Sequence, residues 1–251
     1  MSKIEDDKKN IIVIGGGIVG LMTAYNLYKN GIKDITIIDK NDLTDGASFG
    51  NAGLLSAFSK NPLSSPGVIL NTLKLILKGE SPVNIHPTMN YKLYIWLWHF
   101  VKNSNQDRLK RTLILFERYG QMSLDIYKQM VDEDKMDFHF CQDGLLMVYT
   151  EQKSFDTKAE LCKDPNKYEV LSCENTKKYL PFLNDKIIGS VLLKQNAHLD
   201  PTLLMSELKS YLIKNGVEII INEEVKKLEF LNSEISKIHG KHNFYEANTF
   251  I

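Results

Sequence analysis

The stretch Ile11–Asp39, IIVIGGGIVGLMTAYNLYKNGIKDITIID, restricts this chain more than any other part of it. Ile11, Ile12, Val13 and Ile14 form a continuous β-branched run, the pattern of a strand buried on both faces of a parallel sheet. Gly15, Gly17 and Gly20 follow in G-x-G-x-x-G spacing. In that arrangement the first glycine permits the tight turn and the second lets backbone approach a pyrophosphate. The third lets the helix lie close to the strand. A helix is predicted from about Ile18 to Asn30, with Leu21, Ala24 and Leu27 on one side and Gly31 as its stop. Ile35–Ile38 reads as the next strand and delivers Asp39, whose carboxylate can accept from an adenosine ribose and would repel a 2′-phosphate. A lone glycine motif would be weak evidence. Here strand, turn, helix, second strand and acid stand in the required order, and the stretch reads as an adenine dinucleotide site. The residues expected at the cofactor are Gly15, Gly17, Ile18, Val19, Gly20, Asp39 and Lys40. The stretch alone leaves FAD and NAD both open.

A length of 251 residues suits one large or two modest domains, and 43% hydrophobic content is enough for a real core. Lysine plus arginine balances aspartate plus glutamate, which removes the electrostatic case for nucleic acid. Cys141, Cys162 and Cys173 are odd in number and form no C-x-x-C pair, as expected of thiols in a reducing cytosol. Lys8 and Lys9 ahead of an apolar run resemble a signal peptide, but Glu5, Asp6 and Asp7 precede them and glycines interrupt the run. No apolar run is long enough to span a membrane. The expected location is cytoplasmic.

After Asp39 comes a long loop rich in Gly, Ser, Asn and Pro, KNDLTDGASFGNAGLLSAFSKNPLSSPGV. Ordered loops of that length tend to be functional, and Ser48, Asn51 and Gly53 could bring a hydroxyl, an amide and bare backbone to a phosphate or a flavin edge. The fingerprint, the acid-ended second strand and then Ser-Phe-Gly-Asn-Ala-Gly together resemble the FAD-dependent D-amino-acid oxidase superfamily, and most closely its D-amino-acid dehydrogenases and related imino-acid dehydrogenases. The resemblance implies that this loop lies against the flavin nucleotide, with Ser48, Asn51, Ala52 and Gly53 as FAD contacts. Some relatives attach flavin covalently through a histidine here. Gly50 stands at roughly that place, so a covalent bond in this part finds no support.

Residues 67–135 read as three helices, Val68–Leu77, Tyr91–Val101 and Asp107 to about Val131. The second, YKLYIWLWHFV, is aromatic on nearly every side, and we expect it to be core rather than a surface that meets lipid. Phe138–Thr150 reads as a hairpin about Asp143-Gly144, and Lys153–Cys162 as a helix. EVLSCENTKKYLPFL reads as a short capped helix stopped by Pro181, and Ile187–Leu193 as a strand. Asp200 then caps a helix with Pro201 at its first position and Gly216 at its end, leading into a strand at Val217–Ile221. By resemblance the chain here re-enters the nucleotide domain, and the backbone of Val225 meets the adenine ring.

Val225–Leu231, Ile235–Gly240 and Phe244–Ile251 read as a three-stranded meander. By resemblance, a meander in place of a helical crossover favours FAD over NAD. The expected fold is therefore α/β: a Rossmann-like FAD-binding domain with a β-meander crossover, in two segments, 1–60 and 195–251. An α+β substrate domain, 61–194, is inserted between them. The family's later segments do not follow Ile251, so the sequence also reads as an N-terminal part. That leaves an alternative, a split or shortened product that is inactive without a partner chain.

The chemistry implied by the resemblance is oxidation of the C–N bond of a D-amino or imino acid by hydride transfer to flavin, giving an imine or keto acid. The protein's part is orientation, dryness and carboxylate recognition. Arg108, Arg111 and Arg118 share one predicted helix and read as a solvated face, and the histidines show no metal spacing. No catalytic residue and no metal ligand is assigned. The electron acceptor, quinone or carrier, stays open. The family's peripheral membrane members make the inner membrane face the alternative location.

Overall fold

The computed structural model describes residues 10–43, 46–56, 62, 65–68, 72, 74, 75, 90–184 and 186–251. They divide into two units, one made of residues 1–54, 130–141 and 198–251 and the other of 55–129 and 142–197.

The first unit is built on β1 (Ile11–Ile14), which pairs in parallel with β2 (Ile35–Ile38), Ile11 opposite Ile35 and Ile14 opposite Ile38. On the far side of β2 lies β8 (Glu218–Ile220), and on the far side of β1 lies β12 (Thr249–Phe250), both parallel. The sheet order is β12-β1-β2-β8, and α1 (Ile18–Lys29) is the crossover that lets β1 and β2 run parallel. Side chains alternate along β1. Ile12, with Ile38, packs on Ile238, Val225, Ile235 and Tyr245, so the meander covers one face of the sheet. Val13 meets α1 where Gly20 passes: an added Cβ on Gly20 would fall 1.8 Å from the carbonyl oxygen of Gly15 and 3.4 Å from the Val13 side chain.

The meander is β9 (Lys227–Leu231), β10 (Glu234–His239) and β11 (Phe244–Glu246), antiparallel throughout. Its expected third strand, Phe244–Ile251, is in fact two. The chain leaves the meander after Glu246, and Thr249–Phe250 joins the parallel sheet beside Ile11–Ile12.

The two helices of this unit end alike. α1 closes with Gly31 N–H on Tyr28 O and Ile32 N–H on Leu27 O; α6 (Pro201–Lys214) closes with Gly216 N–H on Ile213 O and Val217 N–H on Leu212 O. These are Schellman stops, and each follows a Lys-Asn-Gly triplet whose asparagine amide reaches back four residues to a helix carbonyl. α6 begins as expected, with the Asp200 carboxylate accepting from Thr202 and Leu203 N–H and Pro201 in the first turn. Tyr211 of α6 lies 5.6 Å from the ring of Tyr25 of α1. Both hydroxyls donate to Asp134, at 2.6 Å from Tyr25 and 3.1 Å from Tyr211, and Lys29 adds an ammonium at 2.9 Å. Burial alone would raise the Asp134 pKa, but the hydrogen bonds from Tyr25, Lys29 and Tyr211 outweigh it and hold the carboxyl below its ordinary value.

In the second unit, β6 (Gly189–Leu193) is the centre of an antiparallel sheet with β4 (Leu145–Tyr149) and β5 (Tyr168–Ser172) on either side. Cys162, Tyr168 and Val191 form its core with Tyr149 and Phe155, the latter on α4 (Gln152–Leu161). α5 (Cys173–Tyr179) is capped by Ser172 and tied to β6 by a buried hydrogen bond between the Thr176 and Ser190 hydroxyls, 2.7 Å. α2 (Tyr91–Asn103) and α3 (Gln106–Asp132) precede them. The helix expected at Val68–Leu77 falls largely outside the described residues.

Three expectations are corrected. The hairpin at Phe138–Thr150 does not form: Phe138–Cys141 lie in the first unit and Leu145–Tyr149 in the second, and left-handed backbone at His139 (φ 52°) and Gly144 (φ 89°) breaks the run. Leu145–Tyr149 pairs with Gly189–Leu193 instead. Second, the short capped helix read in Glu169–Leu183 forms only over Cys173–Tyr179, before Pro181, and Tyr168–Ser172 ahead of it is a strand. Third, α2 is not core. None of its residues is buried, and Trp96 and Trp98 are 58% and 57% exposed. Trp96 stacks on Phe100 four residues on, 5.3 Å between ring centroids, and Lys102 covers Trp98. Aromatics at helical spacing thus cover one another along the helix, which an apolar composition cannot distinguish from burial against another element.

Two outcomes follow. Gly20→Ala is expected to lower stability by about 2 kcal/mol or more, because the clash is with backbone; a urea midpoint within error of wild type would overturn this. Asp134→Ala strips the acceptor from two tyrosine hydroxyls and should cost about 2 kcal/mol near neutral pH. Because the folded-state pKa of Asp134 is lowered, its contribution is present above the unfolded value of about 3.9 and disappears as pH falls through the folded one. The stability difference between wild type and Asp134→Ala, measured by denaturant titration, should therefore shrink only in strong acid.

Candidate nucleotide-binding site

The carboxyl ends of β1 and β2 and the amino end of α1 meet in the first unit, where an open α/β sheet binds its ligands. β1 carries the chain to Gly15, whose N–H donates to Ile38 O at 2.8 Å and holds the turn against β2. α1 starts at Gly17 as its N-cap, without a side-chain cap. A helix start leaves its first N–H groups without intrahelical partners and carries a partial positive charge. Ile18 N–H is taken by the Ser48 hydroxyl oxygen at 3.1 Å, and Val19 stands 78% exposed beside it.

A cleft of about 260 Å³ opens over this turn, lined by Ile14, Gly15, Gly17, Val19, Ser48 and Thr23 among others. Among the described residues, no acidic side chain lines it, and Ser48 and Thr23 bring hydroxyls beside the glycine backbone. Such a surface accepts an anion without charge repulsion. Ser48 reinforces the point. Its oxygen accepts from the helix, which leaves its own proton to donate to an oxygen in the cleft.

Asp39 sits at the end of β2 as expected. Its Oδ2 accepts from Gly16 N–H at 2.6 Å and its Oδ1 from Asn41 N–H at 2.7 Å. A carboxylate has about four lone-pair positions, so each oxygen keeps capacity for a ribose hydroxyl. The Asp39 backbone is bonded on both sides, its N–H to Ile220 O and its carbonyl oxygen to Glu223 N–H, each at 2.9 Å. Lys40 next to it is exposed.

The loop after β2 returns to this turn through Ser48. Asn51 is internal to the loop: its Nδ2 donates to Ser48 O and its Oδ1 accepts from Gly53 N–H, both at 2.8 Å. Ala52 is exposed. Gly53 lies so close to the start of α6 that an added Cβ would fall 1.9 Å from Leu199 O. Val225 packs beneath the sheet in the Ile12, Ile38 and Ile238 cluster. Gly15, Gly17, Ile18, Val19, Gly20 and Ser48 therefore converge on one cleft, Asp39 adjoins it through Gly16, and Asn51, Gly53 and Val225 support the surrounding backbone. Arg108, Arg111 and Arg118 are exposed on α3.

Glu223 was not singled out in the sequence, yet it is the buried carboxylate nearest to Asp39 along this path, only 3% exposed. Its one sequence signal is an acid two residues past an apolar strand, which is indistinguishable from a solvated loop residue. Among the described residues, no group of His, Cys, Asp and Glu side chains could hold a metal ion, and no helix is long and apolar enough to cross a membrane.

Comparison with known proteins agrees with this geometry. D-amino acid dehydrogenase of Helicobacter pylori is 50% identical over 244 residues, which are 97% of this chain and 59% of that protein. The enzyme of the same description from Vibrio atlanticus is 24% identical, covering 96% of this chain and 60% of its own. The chain thus spans about three fifths of the length of these curated relatives. Among solved structures, L-proline dehydrogenase from P. horikoshii superposes with a TM-score of 0.66 at 17% identity, over 96% of this chain and 51% of that one. Glycine oxidase from Bacillus cereus gives 0.63 at 15%, over 96% and 55%; at such identities the likeness is one of fold. Residues 10–250 match the DAO family, FAD dependent oxidoreductase, and with that match over nearly the whole chain, on a fold whose glycine turn, acid and meander are in place, this chain belongs to the DAO family of FAD-dependent oxidoreductases.

Proposed function

We propose that this chain holds FAD for the oxidation of the C–N bond of a D-amino or imino acid, as the name of its 50%-identical relative suggests. The observation that carries the reading is the start of α1 at a glycine N-cap, opening on a cleft whose described lining holds no acidic side chain, with Asp39 one hydrogen bond away at Gly16. In this reading the first unit is the FAD-binding domain, so the expected segments 1–60 and 195–251 are joined by residues 130–141, and the rest of 61–194 belongs to the substrate domain.

Each group has a task. The N–H groups at Gly17, Val19 and Gly20 and the Ser48 hydroxyl bind the pyrophosphate; the fixed N–H dipoles are oriented before the ligand arrives. Asp39 accepts from the adenosine ribose, and Lys40 flanks it. The second strand's acid disfavours a 2′-phosphate by like charge. Asn51 and Gly53 fix the loop that brings Ser48 and Ala52 to the cofactor, and Val225 supports the adenine end. FAD, when bound, supplies the two-electron acceptor for C–N oxidation. With the amine neutral, the chain needs no side-chain base, so its work is to orient the α-carbon and exclude water.

The test uses the full-length protein loaded with FAD. Its visible flavin bands are expected to bleach on anaerobic addition of a D-amino acid or proline; bands unchanged by every such substrate would overturn the proposed reaction. Asp39→Ala should weaken FAD binding by about tenfold, the loss of one charge-assisted hydrogen bond, read by titration of the apoprotein. An unchanged Kd would remove Asp39 from the site.

A further inference from the structure

Glu223 lies between β8 and β9 and is almost fully buried, which a carboxylate tolerates only with partners. Its Oε1 accepts from His242 N–H at 2.8 Å and Asn243 N–H at 3.2 Å, in the turn between β10 and β11. These backbone donors hold the carboxyl below its ordinary pKa against the opposing effect of burial. Gly240 completes the socket: an added Cβ there would fall 1.9 Å from the same Oε1. At the other end, Glu223 N–H donates to the carbonyl oxygen of Asp39, while its neighbour Asn222 donates to Asn41 O at 3.1 Å. One residue therefore pins the end of β2 to the meander turn, with its side chain on one and its backbone on the other.

We propose that Glu223 is a positioning residue for the adenosine end of the nucleotide site, acting through the backbone of Asp39 and Asn41 without touching the nucleotide. The inference rests on the FAD reading above. The physical argument is that Asp39 offers its carboxylate in a fixed direction only while Gly16, Asn41 and the residue's own backbone are held. Glu223 shares the last of these constraints with Ile220, holding the Asp39 carbonyl oxygen from a socket that the glycine at position 240 leaves open. A glutamine keeps the accepting oxygen; an alanine empties the socket and removes the acceptor from the His242 and Asn243 N–H groups, which frees the turn from the end of β2.

The experiment titrates the apoprotein with FAD, ADP and inorganic pyrophosphate. Glu223→Ala is expected to weaken FAD and ADP by about tenfold while pyrophosphate stays within about twofold. Glu223→Gln should keep all three within about threefold of wild type, since its carbonyl oxygen accepts as the carboxylate does. A general loss of folding would lower pyrophosphate binding equally, and that result, or ADP affinity unchanged in Glu223→Ala, overturns the inference. Should Glu223→Ala not fold, Gly240→Ala displaces the carboxylate from the other side and is read by the same ratio. A wild-type protein that binds neither FAD nor ADP would instead overturn the nucleotide reading itself.

Discussion

The carbonyl of Gly15 and the backbone of Gly20 approach so closely that no side chain fits between them, and much of the first unit depends on that approach. It sets the distance from β1 to α1, and hence where the helix start sits above the sheet edge. The first-turn N–H groups then converge on one cleft instead of facing bulk water. Binding of an anion there uses donors already oriented by folding, so little reorganisation is left for the ligand to supply.

Around this turn the chain closes a series of backbone links. Asp39 is bonded to Gly16, Asn41, Ile220 and Glu223, and Glu223 in turn to the 242–243 backbone. The strands that β1 and β2 present to the ligand are thus held from the meander side. From the helix side the Tyr25, Lys29, Tyr211 and Asp134 cluster holds α1 against α6. Both sides use a carboxylate that accepts from several donors, which makes the anion a stabilising partner rather than an uncompensated charge.

Much of this was legible along the chain. The G-x-G-x-x-G spacing placed the turn, Asp200-Pro201 the start of α6, and Gly31 and Gly216 the ends of two helices, because each depends on residues within a few positions. The meander was legible as three short strands separated by turn residues, though not its split after Glu246, which depends on a sheet edge more than two hundred residues away along the chain. Local signals misled where a second element had to decide. Phe138–Cys141 alternates like a strand, but the residues that follow it, from Gln142 on, belong to the other unit. α2 has the apolar content of a core helix, yet none of its residues is buried.

The sequence by itself determined the glycine turn between strand and helix and the acid at the end of the second strand, because each depends on residues within a few positions. It also determined the resemblance that named flavin as the cofactor. Tertiary structure alone decided which groups support the site. That Ser48 reaches Ile18, that Asn51 serves the loop, and that Glu223 is buried against the meander all depend on contacts between segments distant in sequence. A carboxylate's partners are a matter of three-dimensional distance, and no spacing along the chain encodes whether water or two backbone N–H groups will meet it.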